Sequence, residues 1–260
     1  MAAPIPCQRF GQGEHRVLFL AGWLGTAQDW GPMLQAMDPD AVSACLLDIR
    51  GYGARRGEPG SFSFREVAQD VQRILDQLGW DSCTLVGHSM GAMAMQRVLA
   101  DASQRVRALV GIAPVPACGS RMDAQRFAAF EAAVHDVAGR QAIVAASTGQ
   151  RLSANWAREV ARVSWERSSE DAVGRYLNEW AREGFEDEIA GSTCPVRLFV
   201  GQHDPGLTRA VMERTWLRWY SDAVVEELPN AGHYPMLETP AWLGTRLDAT
   251  LGELSPHWSG

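Results

Sequence analysis

Several features are absent from this sequence of 260 residues, and each absence excludes a class of protein. The five cysteines are odd in number and form no C-x-x-C pair, so neither a disulfide framework nor a zinc site is expected. No run of Lys or Arg offsets the formal net charge of −7. A nucleic-acid backbone or an anionic membrane surface is therefore not expected as the main partner.

Long apolar segments are also missing. No stretch reaches the roughly 18 apolar residues that a membrane span needs, and the start, MAAPIPCQRF, has neither the charged leader nor the apolar centre of a signal peptide. Together with cysteines that suit reduced thiols, this predicts a soluble, cytoplasmic protein. We expect its partner to be a small-molecule substrate, with no membrane and no nucleic acid, and the sequence leaves its oligomeric state open.

The sequence does contain short apolar runs, each bounded by Gly, Pro, Asp or Asn. Such runs are typical of strands buried on both faces of a parallel sheet. They occupy residues 17–22, 41–49, 83–88, 106–114, 196–202 and 223–229. Between the second and third run, residues 63–66 have the spacing of a capping box and residues 67–78 carry one apolar helical stripe. The predicted fold class is therefore α/β, a mainly parallel sheet flanked by helices.

Residues 116–192 interrupt this alternation, because their apolar positions repeat with a helical period. Two stripes are visible, Phe127, Phe130, Val134 and Val137 in one, and Trp156, Val160 and Val163 in the other. Helices inserted into a sheet domain form a cap, which is expected above the C-terminal ends of the strands. We predict a core of residues 1–115 and 193–260 and a helical cap of residues 116–192.

Ser89 lies in a G-x-S-x-G pattern, GHSMG at residues 87–91, after an apolar run and before a helical pattern. The strand-to-helix turn at such a site is so tight that side chains at the two Gly positions would collide with neighbouring backbone, and it exposes the serine hydroxyl. The pattern by itself is weak, but its context favours a nucleophile. A serine hydroxyl is a poor nucleophile near neutral pH, so it needs a base and a third group that orients the base.

His233 is the candidate for the base. It ends the turn at residues 230–233, just after the last predicted strand, where a loop end is free to reach over the sheet. The other five histidines are predicted to be structural or solvated, namely His15, His88, His135, His203 and His257.

Asp204 is the candidate for the third group. It follows the predicted strand at residues 196–202 and precedes a proline, which is also a common arrangement in plain turns. The chain order Ser, Asp, His at three successive strand ends nevertheless agrees with one catalytic geometry. We therefore predict a triad of Ser89, Asp204 and His233.

The remaining candidates would bind the substrate. The oxygen of a tetrahedral intermediate needs two backbone donors, and we assign them to Met90, the residue after the nucleophile, and to Trp23, in the loop after the first run. No metal and no cofactor is predicted. The pocket is expected to be apolar and aromatic, formed by Trp23, Phe127, Phe130, Trp156 and Trp165.

Together these residues resemble the α/β-hydrolase superfamily from residue 17 to about residue 251. The matching segments are AGW at 21–23, DIRGYG at 48–53, GHSMG at 87–91, Asp204, and AGH at 231–233. The resemblance implies the α/β-hydrolase fold with an inserted helical cap, and it is greatest to small carboxylesterases and thioesterases. One departure is Ala21, where the family usually carries a His that helps to order the oxyanion loop.

The predicted function is a serine hydrolase that cleaves a carboxylic ester or related acyl bond of a small, apolar substrate through an acyl-enzyme on Ser89. Haloalkane dehalogenases and epoxide hydrolases of this superfamily are disfavoured, because they carry Asp at that position. A carbon–carbon bond hydrolase, a cofactor-free dioxygenase and a non-catalytic binding protein stay open as alternatives. The dioxygenase is disfavoured by the lack of Asp in residues 111–119, and the binding protein by the intact triad.

Overall fold

A seven-stranded sheet forms the centre of the computed structural model, which describes residues 3–255. Its strand order is β1-β3-β2-β4-β5-β6-β7, and neighbouring strands are parallel except for the antiparallel pair β1 and β3. The strands are β1 (Gln8–Phe10), β2 (His15–Leu20), β3 (Val42–Leu47), β4 (Cys83–His88), β5 (Val106–Ile112), β6 (Val196–Gly201) and β7 (Ala223–Leu228).

All six apolar runs overlap a strand, so the predicted fold class is confirmed. The structure adds β1, which has three residues that are exposed or half-buried and therefore no apolar pattern to reveal it. The expectation of burial on both faces is wrong for β7. This strand lies at an edge of the sheet, and Val224 is 53% exposed while the neighbouring Val225 is buried.

Eleven helices accompany the sheet in the described part of the chain, and the longest of them have 15 residues. None of these is long and apolar enough to cross a membrane. They are α1 (Gly31–Leu34), α2 (Phe64–Leu78), α3 (Met90–Asp101), α4 (Ala124–Val134), α5 (Val137–Ser147), α6 (Ala154–Arg167), α7 (Glu170–Arg182), α8 (Arg209–Arg214), α9 (Trp216–Trp219), α10 (Pro235–Glu238) and α11 (Pro240–Leu254).

The α2 helix begins where its sequence pattern predicts, because the Ser63 hydroxyl accepts a hydrogen bond from the Glu66 amide at 3.3 Å. The second half of the capping box differs from the expectation. The Glu66 carboxylate accepts from the Ser61 and Phe62 amides, at 3.1 and 3.0 Å, and so orders the chain before the helix. The apolar stripe of α2 faces the core, with Val67, Val71, Ile74 and Leu75 buried.

Helices α4 to α7 lie between β5 and β6 and form the helical insertion. The stripe predicted from Phe127 to Val137 is wrong at its end. Helix α4 ends at Val134, and the Asp136 carboxylate caps the next helix by accepting from the amides of Ala138 and Gly139. Val137 therefore starts α5 and is 40% exposed. The domain boundaries at residues 116 and 192 stay a prediction.

Arg140 joins three of these helices inside the insertion. Its buried guanidinium donates to the Ala133 carbonyl at the end of α4 and to the hydroxyls of Ser164 and Ser168 at the end of α6, at 3.1, 3.0 and 2.8 Å. A buried charge is costly unless hydrogen bonds replace its water. Since these groups come from separate helices, Arg140 ties α4, α5 and α6 together.

Candidate active site

Ser89 lies in a strained turn between β4 and α3. Its backbone has φ 51° and ψ −116°, a conformation that non-glycine residues rarely adopt. The turn is closed tightly on both sides: a Cβ added to Gly87 would lie 2.6 Å from the Cα of Ala92, and one added to Gly91 would lie 2.4 Å from the Leu20 carbonyl oxygen. The predicted reason for both glycines, close approach of backbone, is therefore confirmed.

Three side chains from separate strand ends meet here. The Nε2 atom of His233 lies 3.0 Å from the Ser89 hydroxyl oxygen, and its Nδ1 atom lies 2.7 Å from Oδ2 of Asp204. The other carboxylate oxygen of Asp204 accepts from the amides of Gly206 and Leu207, at 2.8 and 3.0 Å. The structure thus brings together the three residues that the sequence predicts, while their catalytic roles stay a prediction.

Asp204 is held as a carboxylate. Burial raises the pKa of Asp204, but the neighbouring His233 and the two backbone amides lower it by more. The pKa of Asp204 therefore lies below its ordinary value. An ionised Asp204 accepts the Nδ1–H of His233 and leaves Nε2 free to accept a proton from Ser89. The geometry and the charge therefore suit a general base.

The loop that carries His233 is held by groups which the sequence did not single out. The amides of Gly232 and Tyr234, on either side of His233, both donate to the carboxylate of Glu238 at 2.8 Å. Arg151 from the helical insertion donates to the same carboxylate. Glu238 is the last residue of α10. No local sequence pattern distinguishes it from a solvated acid, so its contact with the His233 loop is visible only in the structure.

His88 supports the same loop. Its Nε2 lies 2.7 Å from the carbonyl oxygen of His233, which accepts only, so His88 carries its proton on Nε2. Burial is the main cause that lowers the pKa of His88 to about 3, and the ring therefore stays neutral. This agrees with the structural role predicted for His88.

Three further histidines lie within residues 3–255. His15 is buried on β2, with Nε2 3.0 Å from the Thr84 hydroxyl, and His135 pairs with Glu170 on the surface. His203 is half-buried. His257 lies outside the described residues. No group of three or more His, Cys, Asp or Glu within residues 3–255 is placed to hold a metal ion.

The loop of Gly22 and Trp23, which is predicted to bind the oxyanion, lies against Ser89. Met90 is the first residue of α3, where a backbone amide has no acceptor within its own helix. On the other side, a Cβ added to Gly22 would lie 3.2 Å from the Cβ of Ser89. The backbone of Gly22 is therefore close to Ser89, and the amide of Trp23 is the next one along the chain. Both assignments stay predictions that the geometry suits.

Tyr52 and Val173 order this loop in a chain that carries Ala21 where the family has His. The Tyr52 hydroxyl donates to the Trp23 carbonyl at 2.9 Å, and the Trp23 indole donates to the Val173 carbonyl at 2.8 Å. Tyr52 is buried. The two bonds therefore hold both the backbone and the ring of Trp23, the residue whose amide is the predicted oxyanion donor.

We expect Tyr52→Phe to lower kcat for an acyl ester about tenfold, since one buried hydrogen bond contributes about 0.5–1.5 kcal/mol and here that bond holds the loop that is predicted to bind the oxyanion. Tyr220→Phe is the matched control, because Tyr220 is also buried and its hydroxyl donates to Gln96 at 3.3 Å away from the cavity. Steady-state kinetics and thermal unfolding of both variants test this. Equal kcat values in the two variants would contradict the role of Tyr52.

A cavity of about 630 Å³ lies between the insertion and the strand ends. Its wall includes all three triad residues and an aromatic cluster of Trp23, Phe130 and Trp180. The ring centroids of Trp23 lie 5.5 Å from Phe130 and 5.6 Å from Trp180, and Phe130 lies 5.3 Å from Trp180. Trp180 was not among the residues predicted for the pocket, although its type and its place in the insertion were signals for it.

Three predicted pocket residues, Phe127, Trp156 and Trp165, do not line the cavity. The Phe127 ring lies under the Arg182 guanidinium at 3.7 Å. The Trp165 ring packs over Arg140 at 4.8 Å and is 36% exposed. Trp156 packs edge-on against Tyr234, with ring centroids 6.4 Å apart. Of the predicted pocket residues, the structure places Trp23 and Phe130 in the wall.

Comparisons with known proteins agree with this architecture. A profile of a family described as the alpha/beta hydrolase fold matches residues 15–240. Among solved structures, the esterase EaEST from Exiguobacterium antarcticum superposes with a TM-score of 0.84 at 16% identity, covering 95% of this chain and 94% of that one. At that identity the likeness concerns the fold alone.

Curated relatives match over different shares of their length. The chain is 27% identical over 245 residues to the mouse protein named sn-1-specific diacylglycerol lipase ABHD11, covering 86% of this chain and 76% of the relative. It is 33% identical over 109 residues to the dihydrolipoyllysine-residue acetyltransferase component of acetoin cleaving system from Cupriavidus necator, covering 41% of this chain and 28% of the relative. In two further relatives the match spans 37% and 31% of their length.

Proposed function

Since the chain belongs to the alpha/beta hydrolase fold family, we propose that it is a serine hydrolase that cleaves a carboxylic ester or related acyl bond through an acyl-enzyme on Ser89. The observation that carries the proposal is the unbroken series of hydrogen bonds from Ser89 through His233 to Asp204, at 3.0 and 2.7 Å, in the wall of one large cavity. The name of one similar protein, the mouse diacylglycerol lipase, also supports an ester bond.

In the acylation step, the Ser89 oxygen attacks the acyl carbon while its proton passes to Nε2 of His233. The carbonyl oxygen becomes negative and accepts hydrogen bonds from the amides of Trp23 and Met90. The tetrahedral intermediate then loses its alcohol or thiol, which takes the proton from His233, and the acyl group stays on Ser89. Asp204 stays ionised and stabilises the protonated His233.

In the deacylation step, a water molecule gives one proton to His233 and attacks the acyl-enzyme. Collapse of the second intermediate releases the carboxylic acid and returns the proton to Ser89. The overall reaction consumes one water and needs no redox partner.

The substrate is proposed to have an apolar body. Trp23, Phe130 and Trp180 form an aromatic wall, and Val115 and Ile143 extend the apolar lining of the cavity. The cavity volume lies within the range of about 300–1,000 Å³ that is common for small-molecule sites. We further propose a cytoplasmic location, which suits the five free thiols of the chain.

The proposal is tested by intact-mass analysis after treatment with a serine-directed fluorophosphonate. Ser147→Ala is the matched control for Ser89→Ala, because Ser147 also lines the cavity but its hydroxyl donates to the Ile143 carbonyl at 2.8 Å. We expect one adduct on the wild type and on Ser147→Ala, and none on Ser89→Ala. An unlabelled but folded wild type, or a labelled Ser89→Ala variant, would contradict the proposal.

A further inference from the structure

The charges around the cavity have the opposite sign to the charge of the whole chain. The formal net charge is −7, yet three arginines line the cavity, namely Arg121, Arg126 and Arg214. Asp204 is the one acidic residue in this lining within the described part of the chain, and it is already bonded to His233 and two amides. The lining is therefore cationic outside the triad.

These arginines differ in their ion pairs. Arg121 donates to Glu186 at 2.6 Å and is neutralised there. For Arg126 and Arg214, residues 3–255 provide no carboxylate within ion-pair distance. Arg126 has a ring contact instead, with its guanidinium carbon 6.0 Å from the Phe130 centroid. Two guanidinium groups are thus available to an anion that enters the cavity.

Arg126 lies beside Gly206 in the cavity wall. A Cβ added to Gly206 would be 3.1 Å from an Nη atom of Arg126 and 3.5 Å from Oδ1 of Asp204. This guanidinium therefore lies on the same side of the cavity as the triad acid, beside the aromatic ring of Phe130. A ligand in contact with Phe130 has Arg126 within reach.

The cationic groups mark the opening of the cavity. Arg126 and Arg214 are exposed although they line it, whereas Trp23 and Trp180 deeper in the wall are buried. Exposed cations keep their hydration and cost little when unpaired, but at the entrance of a low-dielectric cleft they raise the local concentration of anions. A guanidinium matches the planar, two-oxygen geometry of carboxylate and phosphate.

We propose that the substrate carries an anionic group, a carboxylate or a phosphate, at the end remote from the scissile acyl bond, and that Arg126 and Arg214 bind it. The apolar chain between the two ends lies along Trp23, Phe130 and Trp180, with the acyl carbon at Ser89. The inference rests on the proposed serine hydrolase function and adds a substrate class to it, acyl esters or thioesters that carry an anionic end.

The experiment compares matched 4-nitrophenyl esters of one chain length, one ending in a methyl group, one in a carboxylate and one in a phosphate. The measured quantity is the preference, which is the ratio of kcat/KM for an anionic ester to kcat/KM for the neutral one. We expect the wild type to prefer an anionic ester. In the double variant Arg126→Gln/Arg214→Gln this ratio should decrease about tenfold, equivalent to about 1.4 kcal/mol. The better anionic ester identifies the group.

The control variant is Arg121→Gln, which removes an arginine of the same lining that Glu186 already neutralises, and it should keep the preference. High salt should reduce the preference in the wild type, because exposed charges are screened. A wild type without preference, or a double variant that loses activity equally on all esters, would overturn the inference while leaving the serine hydrolase proposal intact. Failure of every ester together with an unlabelled Ser89 would overturn both.

Discussion

Replacing Asp204 with Asn is expected to lower kcat for an acyl ester by about 10⁴-fold without unfolding the protein. The two amides of Gly206 and Leu207 hold Oδ1 of the native side chain. They would hold the side-chain oxygen of the introduced asparagine in the same way and turn its NH₂ group toward Nδ1 of His233. His233 must then accept at Nδ1 and carry its proton on Nε2, where it has no lone pair left for the Ser89 proton.

The measurement is steady-state kinetics at neutral pH together with thermal unfolding. Asp222→Asn is a suitable control, because it also replaces an aspartate that is bonded to a basic side chain, but one that is exposed and pairs with Arg197 at 2.9 Å. Its kcat should stay at the wild-type value. A kcat for Asp204→Asn within tenfold of the wild type would remove Asp204 from the proposed mechanism.

Replacing Asp70 with Asn should lower the free energy of unfolding by about 3–5 kcal/mol, the range seen when one partner of a buried ion pair is removed. The Asp70 carboxylate on α2 is 3% exposed and accepts from Arg55 at 2.6 Å and from Arg50 at 2.8 Å. The Arg55 side chain is itself 1% exposed, so its charge loses a buried partner. Because Glu58 also pairs with Arg55, at 2.6 Å, the expected loss of unfolding free energy lies toward the lower end of this range.

Urea unfolding at pH 7 and at lower pH tests this prediction. Burial raises the pKa of Asp70, but its bonds to Arg50 and Arg55 lower it more, so the folded pKa lies below the unfolded one. The stabilisation is therefore present above the unfolded value of about 3.9 and disappears as pH falls through the folded pKa. The difference between the wild type and Asp70→Asn should shrink on acidification.

Glu226→Gln is the control for Asp70→Asn. Its carboxylate also makes two bonds to an arginine, Arg246, at 2.7 and 2.8 Å, but both side chains are about one third exposed. Because water and salt screen such a pair, its removal should cost less than about 1 kcal/mol. Equal losses in the two variants would show that burial of the Asp70 pair is not what matters.

Apart from β1, the strands of the sheet and the meeting of Ser89, Asp204 and His233 were predictable from the sequence, because both have local signals. Each buried parallel strand needs an apolar run, and a serine in a strained strand-to-helix turn needs small residues on both sides, so residues 83–91 carry strand, elbow and nucleophile in one continuous pattern. Asp204 and His233 follow strands whose ends meet at one edge of the sheet. Chain order was therefore enough to predict that these side chains lie together.

Tertiary packing sets which residues of the helical insertion line the cavity. Phe127 and Phe130 lie three residues apart on the same helix, but one packs under Arg182 and the other lines the cavity. The bond from Arg151 to Glu238 depends in the same way on contacts between distant segments. So does the lack of carboxylate partners for Arg126 and Arg214 within residues 3–255. Local periodicity shows that a helix has an apolar face, but the direction of that face is set by packing.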